Sequence, residues 1–335
     1  MTSALSDTRF SILDRSRVRA GQQPAAALRE TVEFARLAEQ WGYHRFWVAE
    51  HHSVPGVAGS APTVLAAAVA AATDRIRVGT GGVMLPNHQP LVVAEQFGTL
   101  AALFPDRVDM GVGRSVGFTD GVRRALGHGR DDAADFDGQL TELLEYFVRG
   151  RAGVHAWPAE GLRVPAYLLA TGSGAERAAR FGLPLVIAPI AGEDRMIEAI
   201  TNYRTTFRPT EWGSAPYVIV SASVVVADTV EQAHRLLLPE AWSAAYSRTR
   251  GEFPPLLSPA AVAREPMTDR QRRLFEESLT GHIHGPESTV LPELTRLIKA
   301  TTADEILVHT STYDRTARLD SHRRLAAAVA APALT

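Results

Sequence analysis

Four short stretches hold the residues best suited to chemistry: EHH at 50–52, GTGG at 79–82, GVGRSVG at 111–117 and ATGSG at 170–174. An imidazole titrates near neutral pH, so His51 and His52 are candidates for acid–base work. Neighbouring side chains on an extended chain point to opposite faces, so the two rings cannot both face one cavity. That geometry disfavours a metal site, which needs convergent ligands. HIH at 282–284 could set two imidazoles on one face, but no third ligand accompanies them.

The other three stretches suit an anion or a flat ligand. In ATGSGAERAA small residues run into a helix start, where backbone N–H groups attract phosphate and Thr171 and Ser173 add hydroxyls. A plain N-cap at Ser173 is the competing explanation. GVGRSVG departs from the dinucleotide fingerprint, because its third glycine falls one place late, at Gly117. It does set Arg114 on a glycine-rich loop, where a guanidinium can grip phosphate or simply close a rim salt bridge. Gly79, Gly81 and Gly82 inside a strand predict a bulge, a barrel corner or close approach of a ligand to the backbone.

The elements that must position these residues alternate. Strand-like runs occur at 9–13, 45–49, 75–85, 107–113, 166–170, 184–188, 217–227 and 305–310. Helical stretches fall between them, at 28–41, 61–72, 90–103, 132–149, 174–181, 193–206, 287–300 and 313–330. Eight β/α repeats predict a (β/α)8 TIM barrel in one domain spanning 1–335. A doubly wound open sheet is the rival, but no glycine-rich turn follows the first strand and no linker divides the chain. The prolines of EFPPLLSP predict an irregular insertion or mobile loop over 239–285, near the C-terminal strands. Barrel active sites lie at the C-terminal strand ends, where EHH, GVGRSVG and ATGSG fall and where GTGG runs on to MLPNHQP.

With 335 residues, 45% of them hydrophobic, the chain can bury a large core. A net charge of −2 gives no electrostatic case for nucleic acid. The absence of cysteine excludes disulfides, thiolate metal ligands and cysteine nucleophiles. The longest apolar run, VLAAAVAAA at 64–72, is too short to span a bilayer. The opening MTSALSDTRF lacks the pattern of a secretory signal, so a cytoplasmic protein is expected.

The stretches RLAEQWGYHRFWVAEHH, RVGTGGVMLPNHQPLVVAEQFGTL, FPDRVDMGVGRSVG and LLATGSGAERAARFGLPL together resemble the bacterial luciferase-like, flavin-dependent monooxygenases. The resemblance runs from about residue 9 to 210, resumes at ADEILVHT, and is strongest to a subgroup carrying GGVMLPNH. Members of that subgroup occur among antibiotic-tailoring enzymes of actinomycetes. The resemblance implies a (β/α)8 barrel that binds reduced FMN delivered by a separate NAD(P)H:flavin reductase. Oxygen then adds to the flavin C4a atom, and the peroxyflavin oxygenates a small, apolar or aromatic substrate. By position, His51 matches the family's active-site histidine. Gly81 and Gly82 match a non-prolyl cis peptide beside the flavin ring, and Arg114, Val116, Thr171, Gly172, Ser173 and Gly174 match the phosphate clamp. The resemblance further implies a homodimer through helices 61–72 and 90–103. Two departures stand out. Gly113 replaces the reactive cysteine of the luciferase α-subunit, and Gly-Gly replaces Ala-Ala at the cis position. The alternatives on the same barrel are a deazaflavin (F420)-dependent oxidoreductase and a non-catalytic flavin-binding relative.

Overall fold

Eight parallel strands close into a barrel in the computed structural model, which describes residues 3–116, 119–127, 134–172, 174–190 and 192–330. Eleven strand segments occur among the described residues: β1 (Arg9–Asp14), β2 (Arg45–Val48), β3 (Arg77–Thr80), β4 (Val83–Met84), β5 (Val108–Gly113), β6 (Ala166–Ala170), β7 (Leu185–Ile187), β8 (Val218–Ala222), β9 (Val224–Val226), β10 (Ile283–Gly285) and β11 (Glu305–Val308), all but β9 and β10 in the barrel. Their hydrogen-bonded order is β3-β2-β1-β11-β8-β7-β6-β5-β4, and pairing of β3 with β5 closes the ring. β4 resumes the path of β3 after a two-glycine break. β9 and β10 form a separate parallel pair.

Alternation along each strand explains why these runs read as continuously apolar. Phe46 and Val48 of β2 join the layer between barrel and helices, while Trp47 turns inward. The same division sets Leu185 and Ile187 against Val186, Val218 and Val220 against Ile219, and Ile306 and Val308 against Leu307. A barrel strand is buried on both faces, so no polar face is needed.

Charges fill the N-terminal end of the barrel interior. Buried Arg45 donates through Nε to Glu305 Oε1 (2.8 Å) and through Nη1 to Asp109 Oδ2 (2.8 Å) and Tyr167 Oη (2.8 Å). Asp109 also accepts from Trp47 Nε1 (3.1 Å) and Arg77 Nη2 (2.6 Å). Each carboxylate thereby meets a guanidinium and further donors, which is what lets a charge sit inside a fold.

Two expectations need correction. The strand-like run 217–227 breaks into β8 and β9, and the irregular insertion expected over 239–285 is largely helical. A helix spans Val230–Arg250, and shorter ones span Pro259–Val262 and Asp269–Glu277. The long helix tolerates Pro239, starts on the Thr229 side chain, which accepts from Gln232 N–H, and ends on left-handed Gly251. The Asp269–Glu277 helix opens on a Thr268/Gln271 capping box. Loop and turn remain over the proline segment, around 251–258, and over 263–268 and 278–282. The other expected helices occur with small shifts of boundary.

Candidate active site

At the C-terminal mouth lies a cavity of ≈ 540 Å³. Its floor is the inward-facing cluster of the barrel, through Leu13, Leu169, Val186 and Leu307. Its wall includes His51 after β2, Gly81 and Gly82 after β3, Arg114 after β5, and Thr171 and Gly174 after β6. Six of the nine residues singled out in the sequence therefore meet around one space. Val116 and Gly172 lie on the same loops but outside its wall, and Ser173 lies outside the described residues.

The Gly81–Gly82 peptide is cis, as the resemblance implied. A Cβ on Gly81 would stand 2.6 Å from Leu13 Cδ1, and one on Gly82 would stand 2.8 Å from the Gly111 carbonyl oxygen. A side chain at Gly82 would press on the backbone of the neighbouring strand, whereas one at Gly81 would displace only the tip of Leu13; with glycine at both positions this wall is bare backbone. The same crowding explains Gly79 and Gly111, where a Cβ would fall 2.3 Å and 2.0 Å from carbonyl oxygens of the neighbouring strand.

His51 is tied by its N–H to the Gly59 carbonyl (2.9 Å), and its ring meets the Phe253 ring edge-on at 5.7 Å. Phe253 belongs to the proline loop, which Gly56 holds through a 2.8 Å N–H bond to the Phe253 carbonyl. Burial, then the charges of Arg15 and Arg17, push the His51 pKa down to about 3, against a smaller opposing pull from Glu50. The ring is therefore neutral at pH 7 and can accept a hydrogen bond.

His52 turns away from that cavity, as the alternation argument requires. Its Nε2 donates to Glu50 Oε1 (2.6 Å), and His88 Nε2 donates to the same oxygen (2.9 Å). Burial alone would raise the Glu50 carboxyl. Hydrogen bonds from His52 and His88, the charge of His88 and the Met84 N–H outweigh it and hold the group at about 2. Among the described residues these three are the group whose ligand-type atoms come within 4.8 Å of one another.

Sequence reasoning missed Arg177. It lines the cavity from the first turn of the helix Gly174–Phe181, is paired with Asp137, and lies over the Phe136 ring at 5.6 Å. Its only sequence signal is its place one turn after a glycine-rich loop. Gly174 itself cannot carry a side chain there, because a Cβ would meet Ala170 Cβ at 2.7 Å.

A second cavity of ≈ 900 Å³ adjoins the first and shares Ala188, Ile190 and Ser221 with it. The helix Val230–Arg250 and the β10 segment supply much of its wall, including His282 and His284. His309 joins them, bonded through Nδ1 to Ser221 Oγ (3.0 Å). Burial, then Arg15 and His282, push its pKa down to about 3. The HIH motif thus faces a cavity.

Comparison with known proteins agrees with this arrangement. The sequence profile of the luciferase-like monooxygenases matches residues 8–305. The Luciferase-like monooxygenase of Escherichia coli (strain K12) is 35% identical over 316 residues, 93% of this chain and 94% of the relative. The N-acetyl-S-alkylcysteine monooxygenase of Bacillus subtilis (strain 168) is 32% identical over 336 residues, 96% of this chain and 98% of the relative. The crystal structure of apo-MsnO8 superposes with a TM-score of 0.86 at 34% identity, covering 98% of this chain and 100% of that one.

Proposed function

Because the chain belongs to the luciferase-like monooxygenase family, we propose that it is an oxygenase using reduced FMN and O2, with the FMN reduced by a separate NAD(P)H:flavin reductase. The observation that carries this reading is one mouth cavity combining a side-chain-free Gly81–Gly82 wall, a neutral imidazole and two guanidinium groups. A flat tricyclic ring suits bare backbone, and a phosphate suits Arg114, Arg177 and the small residues opening the helix at Gly174. Reduced FMN supplies two electrons, so that one atom of O2 enters the substrate and the other leaves as water.

The chain's own residues have three tasks. Arg114, with Thr171, Gly174 and Arg177, holds the phosphate. His51 accepts or returns a proton beside the ring system. Leu13, Leu168, Leu169, Val186 and Leu307 keep water from the reacting atoms. The adjoining cavity, within the usual range for small-molecule sites, receives the organic substrate. The GGVMLPNH sequence and the apolar part of a mixed wall, where Ile190, Val220, Ala244 and Ile283 stand beside charged Glu240 and Arg248, support an apolar or aromatic compound of the antibiotic-tailoring kind. Exposed Val64, Val92 and Leu103, on the helices Pro62–Ala71 and Pro90–Leu103, support a homodimer through that face.

Anaerobic titration with reduced FMN, riboflavin and F420 tests the reading. Reduced FMN should bind one per chain and more tightly than riboflavin, because only FMN carries the phosphate. Tight binding of F420 with none of FMN would replace oxygen chemistry by hydride transfer.

A further inference from the structure

We propose that Glu50 is a positioning residue that ties the His51 loop to the segment following Gly81–Gly82 through His52, His88 and the Met84 amide. The proposal rests on the reading of His51 as the acid–base group of the cavity. Glu50 is 4% exposed and accepts three hydrogen bonds. One comes from His52, next to His51 in its own loop. The other two come from the far side of the glycine break, from His88 and from Met84 N–H (2.9 Å to Oε2). His88 is itself set by a short 3-10 turn over Leu85–Asn87, its N–H donating to the Leu85 carbonyl (3.0 Å).

One buried carboxylate therefore joins two walls of the cavity, and Glu50 and Met84 line that cavity themselves. A carboxylate that accepts at both oxygens stays ionised, and losing one donor leaves a buried charge poorly compensated. The segment carrying the hub would then loosen and admit water beside His51. The same donor set could hold a divalent metal ion. However, separations of 2.6 and 2.9 Å are those of direct hydrogen bonds. Tetrahedral ligands with bonds of about 2.0–2.1 Å lie further apart, at roughly 3.3 Å.

The groups facing His51 are Arg15 and Arg17 from beyond β1, Glu50 and His52 from its own segment, and the Phe253 ring. Opening the site to water and leaving Glu50 less neutralised both raise the His51 pKa, the first by relieving burial and the second by adding negative charge. The test is an NMR titration of the His51 ring in flavin-free protein, in wild type, His88→Ala and His88→Gln. In parallel, the oxidation of bound reduced FMN by O2 is followed with and without His51→Ala.

His88→Ala should bind FMN within about twofold of wild type, raise the His51 midpoint from about 3 toward the free-imidazole value near 6.5, and slow the flavin reaction. His88→Gln, which keeps an N–H donor, should restore both. In the His51→Ala background His88→Ala should add nothing, as expected of residues acting as one unit. An unchanged His51 titration, or an equal rate effect without His51, would overturn the proposal. One equivalent of Zn2+ bound by wild type and lost in His88→Ala would also overturn it, in favour of a metal site. If wild type binds no FMN, the functional reading fails, while the titration still decides the role of Glu50.

Discussion

A guanidinium that grips a phosphate does nothing for a flavin that lacks one. Arg114→Ala should therefore weaken FMN about ten- to hundredfold, the worth of a hydrogen bond to a charged group, and leave riboflavin affinity unchanged. Fluorescence titration measures both, and equal loss for the two ligands would take Arg114 off the phosphate. The residue scale also shows how legibility depends on sequence distance. His51, Gly81, Gly82 and Arg114 were readable because each sits in a local pattern of unusual residues at a strand end. Arg177 and its partner Asp137 were not, since 40 positions separate them and neither interrupts an amphipathic helix. Likewise Glu50 and His88 stand in motifs that were both noticed, yet the 2.9 Å bond across 38 positions has no signature in either.

Among the elements, the strands are the most legible part of the chain and the β8–β11 connection the least. Parallel barrel strands read as apolar runs because both of their faces are covered. The helix Val230–Arg250 hid behind an interior proline and a mixed sequence, although Thr229 and Gly251 mark its two ends. Its Glu240 pairs with Arg15, and its Ser243 accepts from Arg17 Nη2 (2.5 Å), so it steadies the charges that keep His51 neutral. At the opposite end of the strands, Asp109 joins β5 to Arg45 of β2 and Arg77 of β3. Asp109→Asn keeps the shape but leaves a buried guanidinium short of charge, and should cost about 3–5 kcal/mol. Urea unfolding reads this out, and a change under about 1 kcal/mol would mean the cluster is not what secures the barrel floor. Position at the N-terminal face predicts that surviving folded protein still binds FMN.

The whole molecule carries two further expectations. Burial is the first cause depressing His44, to about 4, and His51, His309 and His322, each to about 3. In the unfolded chain these rings titrate near 6.5. Below that pH the unfolded state takes up protons that the folded state refuses, so stability is full above about 6.5 and falls as the pH drops toward 3. At pH 5 unfolding should draw in about three protons from His51, His309 and His322, with less from the partly exposed and solvent-screened His44, a slope of roughly 4 kcal/mol per pH unit. Urea unfolding between pH 7 and 5 measures it, and a flat profile would mean the rings are already charged in the fold. The second expectation concerns the face holding Val64, 69% exposed, and Leu103, 65% exposed. Val64→Glu with Leu103→Glu should halve the mass found by light scattering while leaving the circular dichroism unchanged. A wild-type monomer would remove the dimer from the account.

The most direct measurement is stopped-flow absorbance after anaerobic protein holding reduced FMN meets oxygenated buffer. An oxygenase of this kind should bind the reduced flavin and return it to the oxidised form in at least two phases. The last of these should be slower than the oxidation of free reduced FMN and should have a near-ultraviolet spectrum distinct from either end state. Failure to bind reduced FMN, or oxidation indistinguishable from that of free flavin, would contradict the assignment.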